Sequence, residues 1–554
     1  MTHRYTPEEL HALDSDALVQ LILGLQDQID KLNSNYEDLI EQIRIANASR
    51  YGRRSEKQDV IDGQIGFMEK DGKIIFFINE AESLADESVP EPTAEEAVPS
   101  TVVIRKRKKK TFREDLVKGI PEESVYHRVS SYELDRKYGA GNWRKMKTEE
   151  YKRLRYTPAS WTVEHHFVEV YVGTGGDHQD EFTRGSRRKE VLRNSLATPS
   201  LVSAILTAKY VNANPLYRIE QEFNRNGVFL SRQTMANWVI HCSMRYFAPL
   251  WERLKEELLK YHVNQADETT VNVVKDGRPA GTDSYMWVHR SGEFYTDHPI
   301  VLFEYQKSRS SDHPKEFYRD YTGILVTDSL EQYHKLERDS GGRITSANCW
   351  AHARRAFSDV IKAIGKSDEK LIKKSIAHQA LVLIGSIYNE ENKLKDLSPE
   401  ERLTKRQECV KPKVDAYFSW VRERLADTSA LPKGKTMQGL NFCINNERYL
   451  RVFLTDGEVP IDNSASERAV RPFTTGRRNW VIIDTVRGAQ ASAIVYSLAE
   501  TAKLNGLNPY YYFNHLLTEL PQLYDDKGNM DTTQLDSLLP WAAELPEECQ
   551  SPRR

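Results

Sequence analysis

The chain has 554 residues, 39% hydrophobic and 29% charged, and its 78 Lys and Arg against 81 Asp and Glu leave a formal net charge of −3. That length is too great for one core and implies roughly three or four domains. A mean hydropathy of −0.63, with no apolar run near the ~20 residues that a bilayer demands, excludes a helical membrane span. The opening residues, MTHRYTPEELHALDSD, carry neither the apolar stretch nor the small-residue cleavage site of a secretory signal. Five cysteines (Cys242, Cys349, Cys409, Cys443, Cys549) form no C-x-x-C pair, which argues against a disulfide framework or a cysteine zinc site and for a reducing cytoplasm.

The near-zero net charge conceals an uneven distribution. Residues 1–100 hold 9 Lys and Arg against 21 Asp and Glu, a net −12, whereas residues 101–250 hold 27 against 16, a net +11. An acidic head is followed by a basic segment, so the whole-chain value does not exclude a polyanionic partner.

In residues 1–57, Leu18, Ile22, Leu25, Ile29, Leu32, Tyr36, Leu39 and Ile43 stand alternately four and three apart. That is the a/d pattern of a coiled coil, which would assemble copies of the chain; an amphipathic helix packed on its own domain is the alternative. Residues 58–112 read as a linker, acidic and Pro/Ser-rich up to Ser100, then basic at Arg105–Lys110 (RKRKKK), a run able to contact phosphates or simply to be solvated. Residues 113–195 contain aromatic and basic residues but no cysteine. Residues 196–260 read as helical. Within them Leu216, Ile219 and Phe223 mark one helix, Asn226-Gly227 a turn, and Ser231 the N-cap of a second with Trp238 and Ile240 inward. This is helix-turn-helix-like, with Arg232, Gln233 and Asn237 available for DNA on the second helix, although helix pairs with a Gly turn are common.

From residue 261 the texture changes. TTVNVV, SYMWVHR, EFYTD, PIVLFEY and GILVTD read as strands, DHPKEFYRDY as a helix between the last two, and RITSANCWAH leads into the helix ARRAFSDVIKAIG. The alternation predicts a mixed sheet with helices on its faces, a multidomain α+β chain. The sheet region spans 261–367, a helical insertion 368–455, and a second part of the same domain 456–520, before an acidic C-terminal tail, 521–554.

Three carboxylates stand out by placement: Asp267 in QADETT at the start of the first strand, Asp328 ending GILVTD, and Glu467 in DNSASERAVRP, a helix start after an Asn463-Ser464 cap. Acids on adjacent strand ends and a flanking helix can converge on two divalent cations about 3.5–4 Å apart, the arrangement that drives phosphodiester chemistry with hard oxygen ligands. Spacing alone does not carry this, because among 81 acidic residues three can always be found and each reads equally well as a strand end or a helix cap.

The surrounding motifs do more. QADETTVNVV, SYMWVHR, YQKSRSSDHPKEFYRDYTGILVTDSLEQYHKL, NCWAHARRAF, DNSASERAVRPFTTGRRNW and AIVYSLAETAKLNGLNPYYYFNHLLTELP together resemble the catalytic region of the insertion-sequence-66 family of transposases. The likeness extends upstream through YGRRSEK and AKYVNANPLYRIEQEFNRNGVFLSRQTMANWV and downstream to LDSLLPW. The resemblance implies a ribonuclease-H-like core with a DDE site, in which Asp267, Asp328 and Glu467 hold two Mg2+ ions, with Mn2+ as a substitute. It implies DNA cleavage and strand transfer at terminal inverted repeats and a target, a homo-oligomer joined by the coiled coil, small accessory proteins of the same element, no membrane, and a bacterial cytoplasm with nucleoid association. A catalytically inactive DNA-binding regulator and a nuclease without strand transfer remain the alternatives.

The family commonly carries paired cysteines resembling a zinc module where residues Thr111–Leu196 here have none, so no zinc is expected. His165 and His166 are adjacent and on a strand would face apart. Phosphate-contact candidates are Arg468, Arg471, Arg477, Arg478 and Arg487, opposed only by Asp484, together with Lys307, Arg309, His352, Arg354 and Arg355. Glu268, next to Asp267, is expected to face the other way and to take no part as a ligand.

Overall fold

The computed structural model describes residues 187–551, apart from 194, 280, 365–368 and 428–431, together with 66–70, 73–77, 132, 136, 140, 161–172 and 182–184. The expected coiled coil, the basic run and most of 113–195 lie outside the described residues. The chain divides into two compact units, one holding residues up to Ala85 and Lys189–Ser551, the other Asp86–Arg188 with the last three residues. In the first, β1 (Gly66–Lys70) and β2 (Lys73–Phe77) form an antiparallel hairpin. In the second, β3 (Val170–Val172) pairs antiparallel with β4 (Phe182–Arg184).

Four helices open the larger described region: α1 (Pro199–Leu206), α2 (Leu216–Arg225), α3 (Arg232–Cys242) and α4 (Ala248–Leu258). The turn between α2 and α3 passes through Gly227 at φ +80°, a conformation that costs glycine nothing, and the Ser231 hydroxyl accepts from Thr234 N at 3.1 Å to cap α3. The inward residues of α3 are Met235, Trp238 and Val239, with Ile240 only half-buried, because the face of a helix advances by three and four residues. Arg232, Gln233 and Asn237 are exposed.

Six strands follow: β5 (Val263–Lys275), β6 (Asp283–Ser291), β7 (Val301–Gln306), β8 (Gly323–Thr327), β9 (Ile344–Asn348) and β10 (Ile483–Thr485). Their order is β7-β6-β5-β8-β9, with β10 beside the far half of β5. The β5–β6 and β6–β7 pairs are antiparallel, and β8, β9 and β10 run parallel to β5. This mixed sheet with helices on its faces is consistent with a ribonuclease-H-like transposase core. EFYTD, expected as a strand, is instead the connection between β6 and β7. The antiparallel pair must reverse there, and the backbone turns with Gly292 N bonded to Val263 O and His298 at φ +50°. QADETT is not a strand start but the interior of the 13-residue β5, which pairs with β6 over residues 264–272, with β8 at residues 263–265 and with β10 at Val273 and Lys275.

Short helices α5 (Asp312–Phe317) and α6 (Glu331–Asp339) cover one face of the sheet, through His289 stacked 3.6 Å on Phe317 and Trp287 against Tyr333 at 6.0 Å. After α7 (Trp350–Ile364) comes a helical segment: α8 (Glu369–Lys374), α9 (Ile376–Glu391), α10 (Pro399–Lys405), α11 (Lys411–Ala426), α12 (Gly434–Asn445) and α13 (Glu447–Leu450). It packs its own apolar core, including Tyr417, Phe418 and Leu440, on Trp350 and Phe357 of α7 and on Val326 of β8. Long α14 (Ser464–Trp480) and α15 (Val486–Leu504) cover the opposite face, with Phe473 and Tyr496 against Phe303.

A second buried cluster joins α1 to α4, the sheet, α15 and α16 (Pro509–Glu519). Trp251 donates to Ser497 Oγ at 3.0 Å, so the helix-turn-helix-like region shares one core with the sheet. The segment after residue 520, expected as an acidic tail, packs onto α16 through Leu535, Leu538 and Cys549, with Tyr512 OH donating to Leu538 O at 2.7 Å. Its apolar residues, not its acids, decide its place. Among the described residues no helix is long and apolar enough to cross a membrane.

Candidate active site

The sheet brings the three sequence-predicted acids to one region. β5 and β8 run parallel with Gln265 opposite Val326, and continuing that register by two residues sets Asp267 beside Asp328, just past the end of β8. Asp267 shares the face of β5 that carries Gln265 and Thr269, the face covered by α14. Glu467 lies in the first turn of α14. The approach to that turn is stapled to β5: Gln265 Nε2 donates to Asn463 Oδ1 at 3.2 Å, and Asn463 Nδ2 donates to Ala266 O at 2.7 Å. The Asn463 side chain therefore does not cap the helix, as its position before Ser464 suggested. It ties the helix start to the residue preceding Asp267.

Burial and crowding act together on these carboxyls. Burial pushes Asp267 up to about 8, reinforced by the neighbouring charges of Glu268, Asp328 and Glu467. Asp328 is pushed up to about 7, first by burial and then by Glu268, with Arg309 and Arg355 opposing the rise. Asp328 Oδ1 is buried with no hydrogen-bond partner. The nearest cations stand off: Arg309 Nη2 is 4.0 Å from Asp328 and Arg355 Nη2 is 3.8 Å from Glu467. An orphaned buried oxygen among acids that outnumber their counter-ions, all of them hard oxygen donors, fits divalent cations of the Mg2+ kind.

The three carboxylates do not close on a single point. Among the described residues the one trio whose ligand atoms all lie within 4.8 Å is His262, Asp456 and Glu458. These are already engaged, His262 Nε2 with Asp456 at 2.8 Å and Glu458 with Tyr295 OH at 2.5 Å.

Glu268 faces away from Asp267, as strand alternation requires, yet it stands at the same centre. Its carboxylate is almost wholly buried and accepts from Arg309 Nε at 2.7 Å and from Tyr333 OH at 3.0 Å. Sequence reasoning recognised its orientation but not this role in holding Arg309 next to Asp328; the adjacent QADE acids were the only signal.

The remaining candidates divide. Arg477 reaches across to β5, bonding Thr270 O and standing 3.2 Å from Thr269 Oγ1. Arg468 pairs with Glu293 at 2.6 Å rather than projecting freely. Lys307, Arg354, Arg355, Arg471, Arg478 and Arg487 are exposed. His352 is half-buried, its pKa driven down to about 4 by burial and by Arg355, and its Nδ1 has no partner, so near pH 7 it is a neutral hydrogen-bonding group. Arg232 and Gln233 lie on α3; Arg232 N donates to Glu220 at 2.9 Å and Gln233 bonds Asn237 at 3.3 Å.

Comparisons with known proteins place the chain in a family. The family described as Transposase IS66 family matches residues 194–491, the IS66 C-terminal element matches 497–541, and the family described as Transposase C of IS166 homeodomain matches 38–125. Relatives include three proteins of Sinorhizobium fredii (strain NBRC 101917 / NGR234). Uncharacterized protein y4qI is 28% identical over 63% of this chain and 64% of its own length. Uncharacterized proteins y4hP and y4jD are each 27% identical over 62% of this chain, and over 62% and 66% of their own lengths. The chain thus spans just under two thirds of each of these relatives. The first family match covers more than half of the sequence, including all three acids, and the chain belongs to the IS66 family of transposases.

Proposed function

We propose that the protein is a DDE transposase that binds the terminal inverted repeats of its element and catalyses metal-dependent DNA cleavage and strand transfer. The observation that carries the reading is the crowding of Asp267 and Asp328, with an unpartnered buried oxygen, beside a helix start bearing Glu467. These three would hold two Mg2+ ions, which when bound neutralise the scissile phosphate and activate a water or a 3′-hydroxyl. The protein's own part is placement. Asn463 fixes the α14 start against β5, and Arg477 pins the later turns of α14 to the same strand. Glu268, itself held by Tyr333, keeps Arg309 at the edge of the site, where its guanidinium would meet a phosphate. His352, neutral, would donate to or accept from a phosphate oxygen or water without adding charge. The exposed Arg354, Arg355, Arg471 and Arg478 would grip flanking phosphates, and Arg232 and Gln233 of α3 would read DNA farther out.

The deciding experiment uses purified protein, Mg2+ and duplexes carrying the element's ends. Asp328→Asn is expected to abolish both cutting and joining while leaving DNA binding measurable. Retained joining by that variant refutes the assignment. Pre-cut ends offered to wild-type protein separate a transposase from a nuclease lacking strand transfer.

A further inference from the structure

Three non-glycine residues among those described have positive φ, namely Ala213, His298 and Val481, and Val481 alone is β-branched. Its backbone, φ 62° and ψ −54°, is a conformation that a branched Cβ disfavours strongly. Both sides of the turn enforce it. Val481 N bonds Arg477 O and Ile482 N bonds Trp480 O, each at 2.7 Å, while Ile483 and Thr485 pair with Val273 and Lys275 of β5. The strain does not serve packing, because Val481 is 63% exposed and Ile482 51% exposed. Glycine would make the same turn without strain, so a valine held there and turned to solvent implies that its methyl groups meet something outside the fold.

Resting on the transposase reading above, we infer that Val481 and Ile482 form an apolar wedge that enters a base step of the bound duplex and unstacks it. The occupant follows from the setting. The tip lies at the end of the helix whose first turn carries Glu467, and exposed arginines precede and follow it in the chain, Arg478 near the end of α14 and Arg487 at the start of α15. Asp484 between them is paired with Lys275 at 2.8 Å, so the local charge suits phosphates. Apolar wedges between base steps, framed by basic residues, are a recognised way for proteins to kink DNA. At 1.5 Å per residue, α14 places the tip about 20 Å from Glu467. At 3.4 Å per base pair the unstacked step therefore lies within about six base pairs of the bond being cut.

The test compares wild-type protein with Val481→Gly/Ile482→Ser on two end duplexes, one fully paired and one carrying a mismatch at the wedge step. That step is located by scanning 2-aminopurine over six base pairs to each side of the cut. Wild-type protein should brighten 2-aminopurine at one step and cleave both duplexes. The variant should lose the fluorescence rise and cleave the paired duplex about tenfold more slowly, and the mismatched duplex, already unstacked, should restore its rate. Its melting temperature should not fall, because glycine relieves the turn. A variant that cleaves and unstacks the paired duplex like wild type overturns the wedge, as does an equal defect on both duplexes. Wild-type protein that cleaves neither duplex overturns the transposase reading itself, and the wedge with it.

Discussion

At the scale of single residues, the acids of the candidate site are held in a state that favours protons or metal over bare charge. In the unfolded chain an aspartate titrates near 3.9, whereas Asp267 stands at about 8 and Asp328 at about 7 in the fold. Because these folded values are raised, the folded state keeps protons that the unfolded state has released. The contribution of the two groups to stability is full below about pH 4 and is lost as pH climbs through 7 to 8. Without divalent ions, the melting temperature of wild-type protein should therefore fall between pH 5 and 8.5 more steeply than that of Asp267→Asn, which keeps a neutral side chain throughout. Mg2+ replaces the protons, so the rise in melting temperature that it produces should be larger at pH 8 than at pH 6. Matching pH profiles for variant and wild type would show that these carboxyls are not under electrostatic strain.

At the scale of elements, the placement of Glu467 in the candidate site depends on how closely α14 lies against α15. Gly476 makes that approach possible, because a Cβ added there would overlap the Tyr496 hydroxyl, itself packed between Phe303 and Phe473. Gly476→Ala should cost about 1–3 kcal/mol through overpacking, readable in a denaturant melt, and should slow cleavage as well, since Glu467 rides on the same helix. The element order of the sheet was legible from its β-branched and aromatic runs, as was the turn at Asn226-Gly227. The true extent of β5 was not. Gln265, Asp267 and Glu268 read as a polar entry to a strand, but they lie in its interior; Asn463 and Arg309 come from distant parts of the chain to satisfy Gln265 and Glu268, whereas Asp267 meets only the further acids Asp328 and Glu467 and stays strained. EFYTD failed in the opposite sense: its aromatic residues suggested a strand where pairing of β6 with β7 demanded a reversal. The motifs singled out Asp267, Asp328 and Glu467, which the fold brings to one region, whereas the grip of Asn463 on Ala266 and of Glu268 on Arg309 is tertiary and left no pattern in the sequence.

At the scale of the whole molecule, the helical segment between α7 and α14 is locked to the chain that leads into Glu467. Arg406 is fully buried, pairs with Glu391, and donates to Phe453 O and Asp456 O, each at 2.7 Å. Removing one member of such a pair strands a buried charge, so Arg406→Ala should cost about 3–5 kcal/mol, measured by chemical unfolding, whereas a paired apolar replacement of Glu391 and Arg406 should recover most of it. The charge distribution adds a separate division. The −3 of the full chain sums an acidic first hundred residues at −12 and a basic stretch to residue 250 at +11. Phosphate affinity follows local positive charge and the release of counter-ions, not the total. Deleting residues 1–100 should therefore abolish self-association, read by sedimentation or light scattering, because the heptad seam lies within them. DNA binding by the truncated protein should persist, with nearly the same slope of log affinity against log salt, since the basic residues from Arg105 to Arg245 and the arginines of α14 and α15 all remain. A truncated protein that bound no DNA even at low salt would mean that affinity arises from multivalent assembly of weak sites rather than from the charge of one chain.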